Sequence, residues 1–341
     1  MKKYRVTITD IARELNVSAS TVSRALNDHS TIKKETKKAI KDLALKLDYK
    51  PNLQAQGLLQ NKTYTIGIVV PSITGHFYSS IITSVQDVIG PAGYNMIICH
   101  SDESYKNEAN IIDNLLGSCV DGIMVSPVSE TKNVKLFHRI KKIGVPLVIF
   151  DRDCPGIQVD KVLVDDYDGA FQAVEYLIRS GCKKIAHLGG LKNISTNKYR
   201  LKGYLDAHKK YNIKINKAYI THVLGYTHTD GIEPTKKLFR LKNPPDAIFA
   251  VNDCIAVAAM SVVKNLNFKI PDEVSIIGFD DEPHSSYFSP ALSTVWQPVF
   301  SIGMLAARIL LSHLNNTNTE NKFRNEIFKT ELVIRDSTIK I

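Results

Sequence analysis

From Tyr64 onward, short apolar runs alternate with amphipathic stretches, and this rhythm constrains the fold more than any other feature of the chain. The runs are "YTIGIVVP", "YNMIICH", "DGIMVSP", "PLVIFD", "KVLVDD", "KKIAHLGG", "AYITHVL", "DAIFAVND" and "VSIIGFDD". Helical spacing of apolar residues appears between them, including over 104–117, 168–181, 196–212 and 252–267. Strand, helix, strand, repeated, specifies parallel sheets covered by helices on both faces. The set is long enough for two doubly wound sheets, whose ligands bind beyond the carboxyl ends of the strands. Low-complexity segments are absent, and the internal similarity is only that of βα units.

The first fifty residues follow a different grammar, with helical patterns only. "TDIAREL" places Ile11, Ala12 and Leu15 on one stripe, with Thr9 as the expected N-cap. "NVS" reads as a short turn and Ser18 as the cap of a second helix. In "KETKKAIKDLALKLDY", Ile40, Leu43, Ala44 and Leu47 face inward, and Pro51 is expected to end the third helix. The second helix is unusual. Val22, Ala25 and Leu26 share one face, whereas the opposite face carries Ser20, Ser23, Arg24 and Asn27. A solvated face is more often rich in Glu and Lys. A face this slim suits a helix that enters the DNA major groove, which is about 12 Å wide. Arg24 is long enough to reach a guanine edge or a phosphate, and the hydroxyls of Thr7, Ser18, Thr21 and Ser23 suit phosphate oxygens.

Charge agrees with that reading. The chain of 341 residues carries a net +10, and residues 1–62 hold 13 Lys/Arg against 6 Asp/Glu, whereas the remainder holds 31 against 28. A basic front module before a nearly neutral body fits a polyanionic partner for the front. The five cysteines are far apart, without a Cys-x-x-Cys pair; four sit in apolar sequence, and Cys154 lies in an expected loop. Neither a disulfide framework nor a zinc site is expected, and the ten histidines show no metal spacing. The start lacks the apolar run of a signal peptide, and no stretch approaches the ~20 apolar residues of a membrane span. A cytoplasmic, nucleoid-associated protein is expected, with no membrane association.

"VTITDIARELNVSASTVSRALN", "YKPN", "VPLVIFDR", "RLKGY", "AVND", "IPDEVSIIGFDD" and "LSTVWQP" occur in this order along nearly the whole chain. On these motifs the sequence resembles the lactose-repressor (LacI/GalR) family of bacterial transcription regulators. The resemblance implies an N-terminal all-α helix-turn-helix DNA-binding domain (1–50), a hinge segment (51–63), and an α/β core (64–341). That core would be like periplasmic binding proteins, with two doubly wound lobes. The N-lobe would take about 64–161 and 292–324, the C-lobe about 162–291 and 325–341. Base contacts would come from Ala19, Ser20 and Arg24. Asn52, Ala55 and Leu58 would belong to the hinge, with Leu58 wedged between base steps of the minor groove. Many relatives have arginine where this chain has Gln56.

For the cleft, the resemblance implies Phe77 and Tyr78 as stacking residues, each equally readable as a core aromatic. Ser126, Asp151, Arg200, Asn252 and Asp280 would hydrogen-bond hydroxyls, and Tyr226, Trp296 and Gln297 would close the pocket. Arg200 stands out because a planar guanidinium makes bidentate contacts. Arg152 is readable instead as pairing with a carboxylate across the cleft. The implied function is a repressor that binds a palindromic operator on double-stranded DNA as a homodimer. It would be controlled by a small-molecule effector, a sugar or sugar phosphate ahead of a purine. The C-terminal "ELVIRDSTIKI" has no heptads, which favours a dimer over a tetramer. No cofactor is expected. An enzyme is the rival reading, since "VLVDDYDGA" faintly resembles a phosphoribosyltransferase pattern. The phosphate loop of that pattern, the phosphate-binding glycine motifs and the nucleophile elbow are all missing.

Overall fold

The computed structural model describes residues 6–49, 62–128, 130–315 and 323–341. The chain divides into two units, Met1–Thr63 and Tyr64–Ile341.

The first unit is a three-helix cluster: α1 (Ile8–Glu14), α2 (Ala19–Leu26) and α3 (Lys34–Lys46). Ile11, Ala12, Val22, Ala25, Ile40 and Ala44 form its core, as the helical spacing requires. Two boundaries differ from expectation. Thr7, not Thr9, caps α1: its hydroxyl donates to Asp10 Oδ2 at 2.7 Å and accepts from Asp10 N at 3.4 Å, while Thr7 N donates back to the carboxylate at 2.9 Å. Asp10 completes a reciprocal capping box that Thr9, one residue inside the helix, has no partner to make. Pro51 does not end α3 either. Asp48 adopts φ 47°, and Tyr49 N returns to Ala44 O at 2.9 Å, closing the helix earlier. Lys37 and Lys41 then hold the α2–α3 connection through the Asp28 carboxylate, at 3.4 and 3.2 Å.

The second unit contains both expected sheets. Strands β1 (Thr65–Val70), β2 (Asn95–His100), β3 (Gly122–Val125), β4 (Leu147–Asp151), β5 (Asp160–Val164) and β11 (Asn325–Phe328) form an all-parallel sheet of order β11-β5-β4-β3-β1-β2. Helices α4 (His76–Ile89) and α11 (Val299–Leu314) pack on one face through Ile81, Val85, Ile302 and Ala306. Helices α5 (Tyr105–Gly117) and α6 (Glu130–Ile143) cover the other through Ile112, Leu115, Phe137 and Ile140. The C-lobe sheet is also parallel, in order β7-β6-β8-β9, from β6 (Ile185–Gly189), β7 (Ile220–His222), β8 (Ala247–Ala250) and β9 (Ser275–Ile277). Helices α7 (Asp166–Arg179), α8 (Ser195–Lys210), α9 (His228–Phe239) and α10 (Asp253–Asn265) surround it. The α7–α8 contact explains the glycine of "RLKGY": a Cβ on Gly203 would lie 2.5 Å from Tyr167 O.

Pairing moves the lobe crossings. β5 and β11 both belong to the N-lobe sheet, so the chain crosses after Val164 and after Phe328, beyond the expected 161 and 325. β10 (Thr294–Trp296) pairs with β12 (Glu331–Val333), and Ser293 and Trp296 bridge Ile277 and Asp280 of the C-lobe, placing the remaining crossing after Trp296 rather than near 291. No disulfide joins any of the five cysteines; Cys154 is buried, whereas Cys119, expected in apolar surroundings, is exposed. Among the described residues no helix is long and apolar enough to cross a membrane.

Candidate functional site

In the first unit, α2 turns Val22 and Ala25 into the core and leaves Ser20, Arg24 and Asn27 exposed, with Ala19, Thr21 and Ser23 half-buried. Ser18 caps the helix, accepting from Thr21 N at 3.1 Å and lying 2.8 Å from the hydroxyls of Ser20 and Thr21. Asn27 donates to Ser23 O at 3.0 Å, finishing the helix. Thr7 and Ser18 therefore already serve helix ends. Both cap N-termini, which carry partial positive charge and suit an anion nearby. Arg24 extends from this face, and among the described residues no carboxylate pairs with it. Asn52, Ala55 and Leu58, with the rest of 50–61, lie outside the described residues.

In the second unit, a cleft of about 530 Å³ lies beyond the carboxyl ends of the strands of both lobes. Phe77, Tyr78, Asp151, Arg200, Tyr226, Asn252, Asp280 and Gln297 line it, so eight of the ten expected residues converge. Two do not. Ser126 is fully buried beneath the wall and donates to Asp151 Oδ2 at 2.8 Å, the same oxygen that receives the Tyr78 hydroxyl at 2.7 Å. It orients the wall instead of forming it. Trp296 ends β10 with its side chain turned away, 38% exposed, while the next residue, Gln297, faces the cleft. Phe77 belongs to the core as well as to the wall, meeting Tyr78 edge-on at 5.1 Å.

The charged groups are held by one another. Arg200 is buried; its Nε donates to Asp166 Oδ1 at 2.8 Å, Nη2 lies 2.7 Å from the same oxygen, and Nη1 lies 3.7 Å from Asp280 and donates to Val251 O. Its guanidinium lies 3.6 Å from the centroid of the Phe279 ring. Burial pushes the Asp166 carboxyl up to about 6 against the pull of Arg200, and it raises Asp280 well above the usual range. Gln297 donates to Asp280 Oδ1 at 2.7 Å. Asp280 sits at φ 108°, a backbone that L residues rarely adopt and that turns the chain into the cleft. Burial likewise keeps the Tyr78 phenol protonated. Asn252 spends its carbonyl oxygen capping α10, accepting from Ile255 N at 3.0 Å, and its amide hydrogens remain for a ligand.

Arg152 lines the cleft too, a role the sequence reading set aside in favour of a carboxylate pair. It makes a bidentate pair with Glu103, 2.7 Å on each arm. Glu103 follows β2 in the same lobe, so the pair does not cross the cleft as expected; what crosses is the cation, 5.5 Å from the Tyr226 ring. Asp253 was also missed. It accepts from Glu282 N at 2.8 Å, Ser285 Oγ at 2.6 Å and Thr294 Oγ1 at 2.6 Å, tying down the loop after Asp280. Burial pushes its carboxyl up to about 7. The "ND" of "AVND" was its only signal. Among the described residues no cluster of His, Cys, Asp and Glu is arranged to hold a metal.

Residues 7–52 match the model for bacterial regulatory proteins of the lacI family, and residues 174–338 match the periplasmic binding protein-like domain. The probable HTH-type transcriptional repressor ExuR of Bacillus subtilis (strain 168) is 37% identical over 98% of this chain and 99% of its own length. Catabolite control protein A of Priestia megaterium is 33% identical over 93% and 95%. Among solved structures, the lac repressor dimer bound to operator and the anti-inducer ONPF superposes with a TM-score of 0.87 at 23% identity, covering 99% of this chain and 100% of that one, which shows the same fold. The transcriptional regulator CelR–cellobiose complex superposes at 0.74 with 25% identity, covering 98% and 100%. A slim-faced helix-turn-helix ahead of a two-lobed cleft, aligned end to end with named repressors, places the chain in the lacI family of bacterial regulatory proteins.

Proposed function

We propose that this transcription regulator represses by binding a palindromic operator as a homodimer, and that its effector is a neutral sugar held in the cleft of the core. As a member of its family the chain is a DNA-binding regulator with a ligand-binding core, not an enzyme. The composition of the cleft wall carries the choice of effector. Asp102, Glu103, Asp151, Asp230, Asp280 and Glu282 line it against the cations Arg152 and Arg200, and each arginine is already paired with a carboxylate. Such a wall offers many acceptors for hydroxyl donors, and a phosphate dianion would meet like charge. This narrows the expectation of a sugar or sugar phosphate to the uncharged member. The cellobiose in the CelR complex is in keeping with that choice.

Apolar surface supports the homodimer. β2 is an edge strand of its sheet with Ile97 and Ile98 exposed, and Tyr287 and Phe288 are exposed on the C-lobe. An open edge with apolar side chains invites pairing. One helix-turn-helix buries only ~600–1,000 Å² on DNA, so two modules on a palindrome suit tight binding. The segment 51–63 joins the two units and is the natural carrier of the signal from the cleft.

A thermal-shift screen of neutral sugars, sugar phosphates and purines tests the effector. A ligand at 100 times its Kd adds about 2.7 kcal/mol. For a core of this size that raises the melting temperature by roughly 5–10 °C. The stabilising sugar must also change operator affinity. Stabilisation by sugar phosphates or purines alone would overturn the neutral-sugar reading.

A further inference from the structure

We propose that Glu282 of the C-lobe is the N-terminal cap of α4 in the N-lobe, a positioning residue that couples closure of the cleft to the order of the turn carrying Phe77 and Tyr78. Helix α4 starts at His76 after Gly75, whose missing side chain leaves the first turn without a cap of its own. The first N–H groups of a helix need acceptors from elsewhere. Here Glu282 Oε1 accepts from His76 N at 3.2 Å, from 206 residues away. A Cβ built on Gly75 would lie 3.6 Å from the same oxygen, so the carboxylate stands close to where a cap side chain would be. Its negative charge also suits the positive end of the helix dipole.

Glu282 is not free to drift there. Its backbone N–H is fixed at 2.8 Å by the buried Asp253 carboxylate, which also binds Ser285 and Thr294. Only the lobe closure brings this anchored carboxylate to α4. A second contact across the cleft, Asp153 N to Ser195 Oγ at 2.8 Å, reports the same closure at another point. When the lobes part, α4 loses its acceptor and its first turn loosens. Phe77 and Tyr78 lie in that turn and line the cleft. Opening thus loosens the wall, and closing orders it. The role of this wall in effector binding rests on the reading above; the cap itself does not.

Residue-resolved amide exchange on the full-length, ligand-free protein tests the cap. Glu282→Ala should speed exchange of the amides of His76 to Tyr78 about fivefold, the equivalent of the ~1 kcal/mol of a lost cap. Exchange of the Asp153 amide should rise with it, since the lobes part. Glu282→Gln keeps an acceptor and should show a smaller effect at both places. Gly75→Ser, which puts an acceptor for the Phe77 and Tyr78 amides on α4 itself, should restore protection at Phe77 and Tyr78 in the Glu282→Ala background but leave His76 and Asp153 fast. Unchanged exchange at His76 to Tyr78 in Glu282→Ala would refute the cap. A change there that leaves Asp153 unmoved would refute the coupling. Neither readout needs a sugar to bind, so failure of the sugar reading would leave both intact.

Discussion

Replacing Arg200 with alanine should destabilise the core before it affects any ligand. Arg200 is 5% exposed, and among the described residues its guanidinium is the one cation paired with Asp166, with Asp280 3.7 Å away. Truncation leaves buried carboxylates without their counter-charge, a change that costs about 3–5 kcal/mol, and removes the contact with the Phe279 ring. For a unit of this size the melting temperature should fall by roughly 6–15 °C. The deficit must depend on pH in a particular sense. In the wild type, Asp166 titrates near 6 against an unfolded value of 3.8, so its contribution to stability falls as pH rises through that window and is level above it. Without Arg200 the folded value climbs further, and the falling window extends upward. Arg200→Ala should therefore be worst near pH 8 and recover on acidification toward pH 6. Adding Asp166→Asn should restore at least 1 kcal/mol, because it deletes one stranded charge. Chemical denaturation of the four proteins of this cycle at both pH values measures all of this. An Arg200→Ala deficit below 1 kcal/mol, or one that does not change with pH, would show that the pairing in the cleft wall is not what holds these carboxylates. A loss of effector response in Arg200→Ala is meaningful only at temperatures where the variant is folded.

Arg24→Ala should lose roughly 1–3 kcal/mol on an operator selected from a random pool while keeping weak non-specific binding; equal loss on random DNA would place Arg24 on phosphate. Glu108 is fully buried, with one oxygen accepting from Val128 N and the other unpartnered, and burial pushes it up to about 8. Its contribution to stability falls as pH rises from about 4.5 to about 8, so Glu108→Gln should gain on the wild type across that window, by up to about 1.4 kcal/mol per pH unit. Denaturation midpoints at pH 5, 7 and 9 check this, and a pH-independent difference would contradict it.

What the sequence determined by itself was everything that repeats locally. Apolar residues at helical spacing identified the cores of α1 to α3, and alternating short runs identified β1 to β9, because a buried face leaves its period in the chain. The eight convergent cleft residues were named through the family resemblance of the motifs, not through any local period of the chain. The misplaced cap at Thr9 shows the limit of such reading: Thr7 and Thr9 both stand at the start of α1, and only the pairing of Thr7 with Asp10 distinguishes them. Tertiary structure decided what depends on distant partners. The lobe crossings follow from β5 and β11 pairing 164 positions apart, at Lys161 and Asn325. The neutralisation of Arg200 by Asp166, of Arg152 by Glu103, and the seating of Glu282 on α4 join residues far apart in the chain. A local pattern records which face of an element is buried. It carries no record of which buried charge will find which partner, because that depends on the geometry of two lobes folded together.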